Sequence, residues 1–225
     1  MPRVPAMLAP SSPLELHDSQ GLPAHLSLPI ALSGRLRLTP EEFAEVCAAN
    51  PDAVLELAAD GSLVPMTPNG SETGSRSGEL FFQIKAWARV CGKWKAFDSS
   101  TGFRLPDGSV LSPDASLVAL ERWQALSAEE RRGFAPLCPE LVVELASPSD
   151  DGPRGLTALR QKMDAYQRNG ARLGWLLIPE ERAVEVWGPL QAGAKTPRRI
   201  APASLLSAEP WFPGLSIALE AIWAA

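Results

Sequence analysis

Glu144 stands in the middle of an apolar run, Leu141 to Ala146 (LVVELA), that closes on Ser147-Pro148-Ser149-Asp150. Its neighbours have the composition of a strand covered on both faces, so the single carboxylate must be neutralised, paired or bound to a cation. Two other residues have the chemistry to answer it. Asp114 follows Pro113 and leads the apolar run Ala115 to Val118, a place where a poor strand former needs a reason to be. Lys162 follows on a helical pattern, at the border of an apolar face made by Leu156, Leu159, Met163 and Tyr166. From that border its stem can lie along apolar surface while its ammonium reaches the sheet. Two hard carboxylates suit Mg²⁺ or Mn²⁺, which bind few protein oxygens and keep several waters. A water lowered in pKa by such an ion can attack a phosphodiester, with the ammonium orienting it or offsetting charge on phosphate. Each residue type is common on solvated surfaces; the order strand, strand, helix is what carries information.

The elements that must position these groups can be read in turn. Thr39-Pro40-Glu41-Glu42 predicts a helix start, with Thr at the N-cap and Pro at the first helical position, and Asn50-Pro51 ends it. Ala53 to Ala58 and Ser62 to Met66 flank Asp60-Gly61 as two strands flank a tight hairpin turn. In the first strand Val54, Glu56 and Ala58 share a face, and the sequence alone favours solvent for Glu56. Thr67 to Ser75 reads as a polar connector without a phosphate-loop or dinucleotide pattern. From about Glu72 a long helix is expected, with Leu80, Ile84, Trp87 and Cys91 as its core stripe and Glu79 on the margin. Trp94 to Phe97 and Gly102 to Leu105 read as short strands, and the second closes on the turn Pro106-Asp107-Gly108-Ser109. Glu121 to Gly133 predicts a charged helical excursion with Trp123 tucked back. The helix carrying Lys162 is expected over 155–169, after a polar turn at Asp150 to Pro153. Leu173 to Ile178 and Ala183 to Trp187 read as apolar strands around Pro179 to Arg182, Gln191 to Pro197 as a loop, and Trp211 to Leu219 as a final strand or cover segment.

Composition bounds the rest. A chain of 225 residues, 45% hydrophobic and 21% charged, describes one sizeable globular domain, and a net charge of -5 counts against a chain coated in phosphate-binding lysines but not against a local basic groove. Cys47, Cys91 and Cys138 are far apart and without metal-ligand spacing, which suits free thiols in a reducing compartment. The N-terminal stretch lacks a signal-peptide apolar region, and no run is long enough to cross a bilayer, so cytoplasmic residence is expected. Residues 1–35 read as a loosely structured extension and 36–225 as the folded domain. Both histidines, His17 and His25, lie in that extension, which leaves a Ser/His/Asp set without an element to hold its base.

The motifs SPDAS at 112–116, VVELASPSD at 142–150 and GARLGWLLIP at 170–179 together resemble the Uma-two family of putative restriction endonucleases, within the PD-(D/E)XK nuclease superfamily. LTPEEF at 38–43, GSETGSRSGELFFQIKAW at 70–87 and QKMDAYQRNGARLGWLLIP at 161–179 extend the likeness over about residues 36–223. The resemblance implies an α/β restriction-endonuclease-like core, a mixed central β-sheet flanked by helices. It implies Asp114 and Glu144 as the motif acids, with Glu79 and Glu56 as further acids beside the metal, and DNA as substrate of a Mg²⁺-dependent endonuclease. Ala146 stands where the superfamily pattern has its lysine, a role that in the similar family has moved to the helix, where Lys162 matches. A homodimer would suit cutting of both strands. The alternative is a catalytically inactive nuclease-fold binding or assembly module, for which the acidic total and the displaced lysine speak.

Overall fold

The computed structural model describes residues 36–66, 68–148, 155–188 and 197–224. The N-terminal extension with His17 and His25, the turn at Asp150 to Pro153 and most of the loop at Gln191 to Pro197 lie outside the described residues.

Helix α1 (Pro40–Ala49) begins where the sequence places it: Thr39 Oγ1 accepts from Glu42 N at 3.2 Å while Thr39 N donates to Glu42 Oε2 at 2.8 Å, a reciprocal capping box. Strands β1 (Leu55–Leu57) and β2 (Leu63–Pro65) form the expected hairpin around Gly61, whose φ of 81° a side chain would resist. Helix α2 (Ser71–Cys91) starts a residue earlier than the sequence suggested and stops at Gly92, in the left-handed conformation that ends helices without strain. The remaining elements are β3 (Trp94–Asp98), β4 (Phe103–Arg104), β5 (Val110–Leu111), β6 (Ala115–Ala119), α3 (Leu120–Ala125), α4 (Ala128–Arg132), β7 (Leu141–Leu145), α5 (Gly155–Arg168), β8 (Leu173–Ile178), β9 (Ala183–Trp187), β10 (Arg198–Ile200), β11 (Leu205–Ser207), β12 (Ser216–Ala218) and α6 (Glu220–Trp223). The charged excursion is two short helices rather than one, broken at Ser127, which caps the second.

A six-stranded sheet in the order β10-β9-β8-β7-β6-β3 forms the centre, with a smaller sheet β2-β1-β5-β4 and the ribbon β11-β12. The two short strands around Asp98 and Gly102, adjacent in sequence, thus part company: β3 edges the large sheet and β4 the small one. In the large sheet only β7 and β8 run parallel. Such a pair needs a crossover, and α5 supplies it, which obliges that helix to lie across one face of the sheet.

Strand alternation then divides the interior in two. Leu141, Val143 and Leu145 of β7 point to one face, where Leu80 and Ile84 of α2 and Ile217 of β12 cover them. Val142 and Ala146 point to the other, against Met163 and Tyr166 of α5. Gly174 on β8 leaves room there: a Cβ at that position would lie 2.4 Å from Met163 Cε. A third, smaller core of Phe43, Leu57 and Val110 joins α1 to the small sheet.

Candidate active site

Glu144 falls on the same face of β7 as Val142 and Ala146, so the geometry of the strand turns it towards α5. The pairing of β6 with β7 runs Leu117 to Leu141, Ser116 to Val142 and Ala115 to Val143. Continued one residue, that register sets Asp114 opposite Glu144, and opposed residues of antiparallel strands share a face. Asp114 Oδ2 accepts a hydrogen bond from Leu145 N at 2.7 Å, fastening the aspartate to the end of β7.

Lys162 projects from α5 into this corner. Its Nζ lies 3.0 Å from Glu144 Oε1 and 2.8 Å from Glu56 Oε1, and it donates to the carbonyl oxygen of Ser112 at 3.0 Å. The side chain of Lys162 is 10% exposed, those of Glu56 and Glu144 5% and 4%. Glu56 Oε1 also accepts from Ser112 N at 2.7 Å, so β1 is tied to the segment leading into Asp114. Tyr166, one turn beyond Lys162, donates its hydroxyl to Glu144 Oε1 at 3.3 Å.

The electrostatics follow from burial and crowding. Burial pushes the Glu144 carboxyl up to about 8; Asp114 and Glu56 push in the same direction, and Lys162 opposes them. Burial alone would draw the Lys162 ammonium down, but Glu144, Glu56 and Asp114 outweigh it and hold that group above the usual lysine range. Lys162 is therefore a fixed positive charge and not a proton acceptor at neutral pH. The Tyr166 phenol is likewise raised, by burial first and then by the carboxylates, and serves as a hydrogen-bond donor.

Three of the sequence-predicted acids, Asp114, Glu144 and Glu56, thus gather around Lys162. Glu56 departs from the expectation that it faces solvent, because the Ser112 segment and the tip of Lys162 close over its carboxylate while Val54 beside it stays exposed. Glu79 is not brought to the group. It lies on α2, which covers the opposite face of the sheet from Glu144, and it accepts from Gln83 Nε2 at 2.9 Å. Gln83 in turn bonds both the carbonyl and the amide of Ala218, so this end of Glu79's helix is stitched to β12. Tyr166 is the participant that sequence reasoning treated only as core; its place four residues after Lys162 on one helical face was the available signal.

Among the described residues no three His, Cys, Asp or Glu side chains form a ready-made cage for an ion. Mg²⁺, however, asks for one or two carboxylates and keeps its waters. Three carboxyl groups face one ammonium in this corner, and burial first, then Asp114 and Glu56, hold the Glu144 carboxyl up. Asp114 and Glu144 offer hard oxygen donors of the kind a divalent cation takes.

The chain matches the family model of Uma2 (Uma-two), described as "Putative restriction endonuclease", over residues 40–220. It is similar to the solved structure of a protein described as a putative nuclease of the DUF820 group from Anabaena variabilis, with a TM-score of 0.65 and 18% identity, over 83% of this chain and 98% of that one. That likeness makes the mixed sheet between helices a restriction-endonuclease-like fold. No curated protein matches the chain. With the family match spanning nearly the whole folded part, the chain belongs to the Uma2 family of putative restriction endonucleases.

Proposed function

We propose that this chain is a metal-dependent endonuclease that hydrolyses DNA phosphodiester bonds, with Asp114 and Glu144 as the residues that hold Mg²⁺ or Mn²⁺. The observation that carries the reading is the pairing of Asp114 with Glu144 across adjoining strand ends, with the Lys162 ammonium 3.0 Å from the glutamate. The bound cation would supply Lewis acidity that lowers the pKa of a water and draws charge from phosphate oxygens. Asp114 is held in place by Leu145 N, and Glu144 by Tyr166 and Lys162, so neither carboxylate need reorganise far. Lys162, permanently charged, offsets the negative charge that grows on phosphate as water oxygen bonds to phosphorus and the ester P–O bond breaks. The proton of the attacking water passes to solvent, and the departing alkoxide takes one back.

The test is cleavage of supercoiled plasmid and of oligonucleotides in Mg²⁺ and in Mn²⁺, for the wild type and Asp114→Asn. Loss of a charged metal ligand is expected to lower the rate by about 10²-fold or more. Equal residual cutting by both proteins would remove the proposal.

One observation favours a second reading, a catalytically inactive nuclease-fold binding module: Glu56 and Glu144 already share an internal cation in Lys162. Calorimetry separates the two, since the module would take up neither Mg²⁺ nor Mn²⁺.

A further inference from the structure

At the far end of the same strands lies a cleft in whose lining cations outnumber acids. β6 carries Asp114 before its first residue and ends at Ala119, while β7 is preceded by Glu140 and approaches Glu144 at its end. The two sites therefore sit at opposite ends of these strands, roughly 15 Å apart along a rise of about 3.3 Å per residue. The far cleft, open on one side, has a volume of about 590 Å³ and is walled by Lys93, Trp94, Arg122 and Arg172, with Glu121 also on its wall and Glu140 at its base.

Its construction is specific. Glu140 is 2% exposed, accepts from Ala119 N at 3.0 Å and pairs with Arg122 Nη1 at 2.5 Å, while the same nitrogen reaches Cys138 O at 3.2 Å. Glu140 is thus fully spent on seating one guanidinium at the rim. Its carbonyl accepts from Arg172 N and Leu173 N, which fixes the backbone that presents the Arg172 side chain. Among the described residues the side chains of Lys93 and Arg172 have no ion-pair partner. Three cations from separate stretches of the chain, two of them unspent, line this cleft against two acids, Glu121 and the already paired Glu140, in a protein whose net charge is -5. A cleft lined mainly by one sign of charge focuses the field and raises the local concentration of counter-ions. The volume lies in the range of small-molecule sites, several times what one phosphate fills. Trp94, backed by Phe212 at 4.7 Å between ring centroids, gives the wall an aromatic surface beside the cations.

We infer that this cleft binds a phosphorylated nucleotide, its phosphates held by Lys93, Arg122 and Arg172 and its base set against Trp94. The site is separate from the acidic corner and does not depend on the nuclease reading.

The experiment is calorimetric titration of the full chain with ADP, inorganic pyrophosphate and adenosine, repeated on Lys93→Glu, Arg172→Glu and, as control, Lys85→Glu. Both cleft substitutions are on exposed side chains, and a thermal melt verifies folding; Arg122 is left intact because its loss would strand the buried Glu140. Binding of ADP more tightly than pyrophosphate, weakened about tenfold or more by either cleft substitution and unchanged in Lys85→Glu, is the expected result. The inference is overturned by absence of heat with ADP, by equal affinity in the cleft variants, or by adenosine binding as well as ADP. A 5′-phosphorylated oligonucleotide that binds where ADP does not would also overturn it, giving the cleft to nucleic acid.

Discussion

Lys162 on α5 and Glu56 on β1 meet at 2.8 Å although one rides on the large sheet and the other belongs to the small one. This ion pair, shared with Glu144, is the bolt between the two sheets beside the proposed site. Removing one member of a buried pair leaves uncompensated charge, at a cost of about 3–5 kcal/mol. Lys162→Met is expected to lose stability of that order in urea denaturation, and Lys162→Met with Glu56→Gln to lose less than the sum of the two single changes. Additive losses would mean that the pair is not coupled.

Glu79 gives a contrasting expectation. Its hydrogen bond to Gln83 lies on the face of the sheet that α2 covers, away from Glu144. Glu79→Gln should change stability by less than about 0.5 kcal/mol, as ordinary surface substitutions do, and leave the cleavage rate and Mg²⁺ affinity of the wild type in place. A loss of Mg²⁺ affinity measured by calorimetry would bring Glu79 back into the site.

Gly174 tests how α5 is seated. A larger side chain on β8 would meet Met163 Cε first and Trp187 Cβ next. Gly174→Val is expected to cost about 1–3 kcal/mol by overpacking and to lift the helix that carries Lys162. Chemical denaturation measures the first effect. The second appears as weaker protection of α5 amides in hydrogen exchange, with α2 unchanged.

Acid should act through Glu185. Its buried carboxylate pairs with Arg160 at 2.6 Å and with Arg199 at 3.4 Å, and the Arg160 hydrogen bonds hold it below the ordinary glutamate value. The folded state then binds this proton less readily than the unfolded chain, whose value is near 4.3. The contribution is complete above about pH 4.3 and is lost as pH falls through the lowered folded value. The stability gap between wild type and Glu185→Gln should therefore be wide at pH 7 and narrow towards pH 3. A gap independent of pH would exclude the linkage.

Among the thiols, burial pushes Cys138 up to about 12 and out of reach of solvent. A disulfide reagent at pH 8 is expected to titrate Cys138 only after unfolding, while the half-buried Cys47 and Cys91 react earlier. Mass spectrometry of the labelled peptides decides it.

Most elements were legible in the sequence because their signals are local: the Thr39 N-cap, the Asn50-Pro51 stop, the Asp60-Gly61 turn and the alternation of helical and strand periods all act within a few residues. Asp114, Glu144 and Lys162 could be singled out for the same reason, since each is a polar residue placed against the grain of an apolar pattern. Glu56 could not. Whether an acid on a two-faced strand meets water or protein depends on what packs over it, and the Ser112 segment that does so lies far along the chain. Glu79 shows the converse: its margin position on α2 permitted a reach to the site, and only the choice of sheet face, set when α2 covers Leu141, Val143 and Leu145, denied it. The cleft around Glu140 was equally hidden, because Lys93, Arg122 and Arg172 come together only through the pairing of β3, β6, β7 and β8. Sequence by itself determined which residues had reason to be unusual; tertiary packing decided which of them share a dielectric, and charges can act on one another only there.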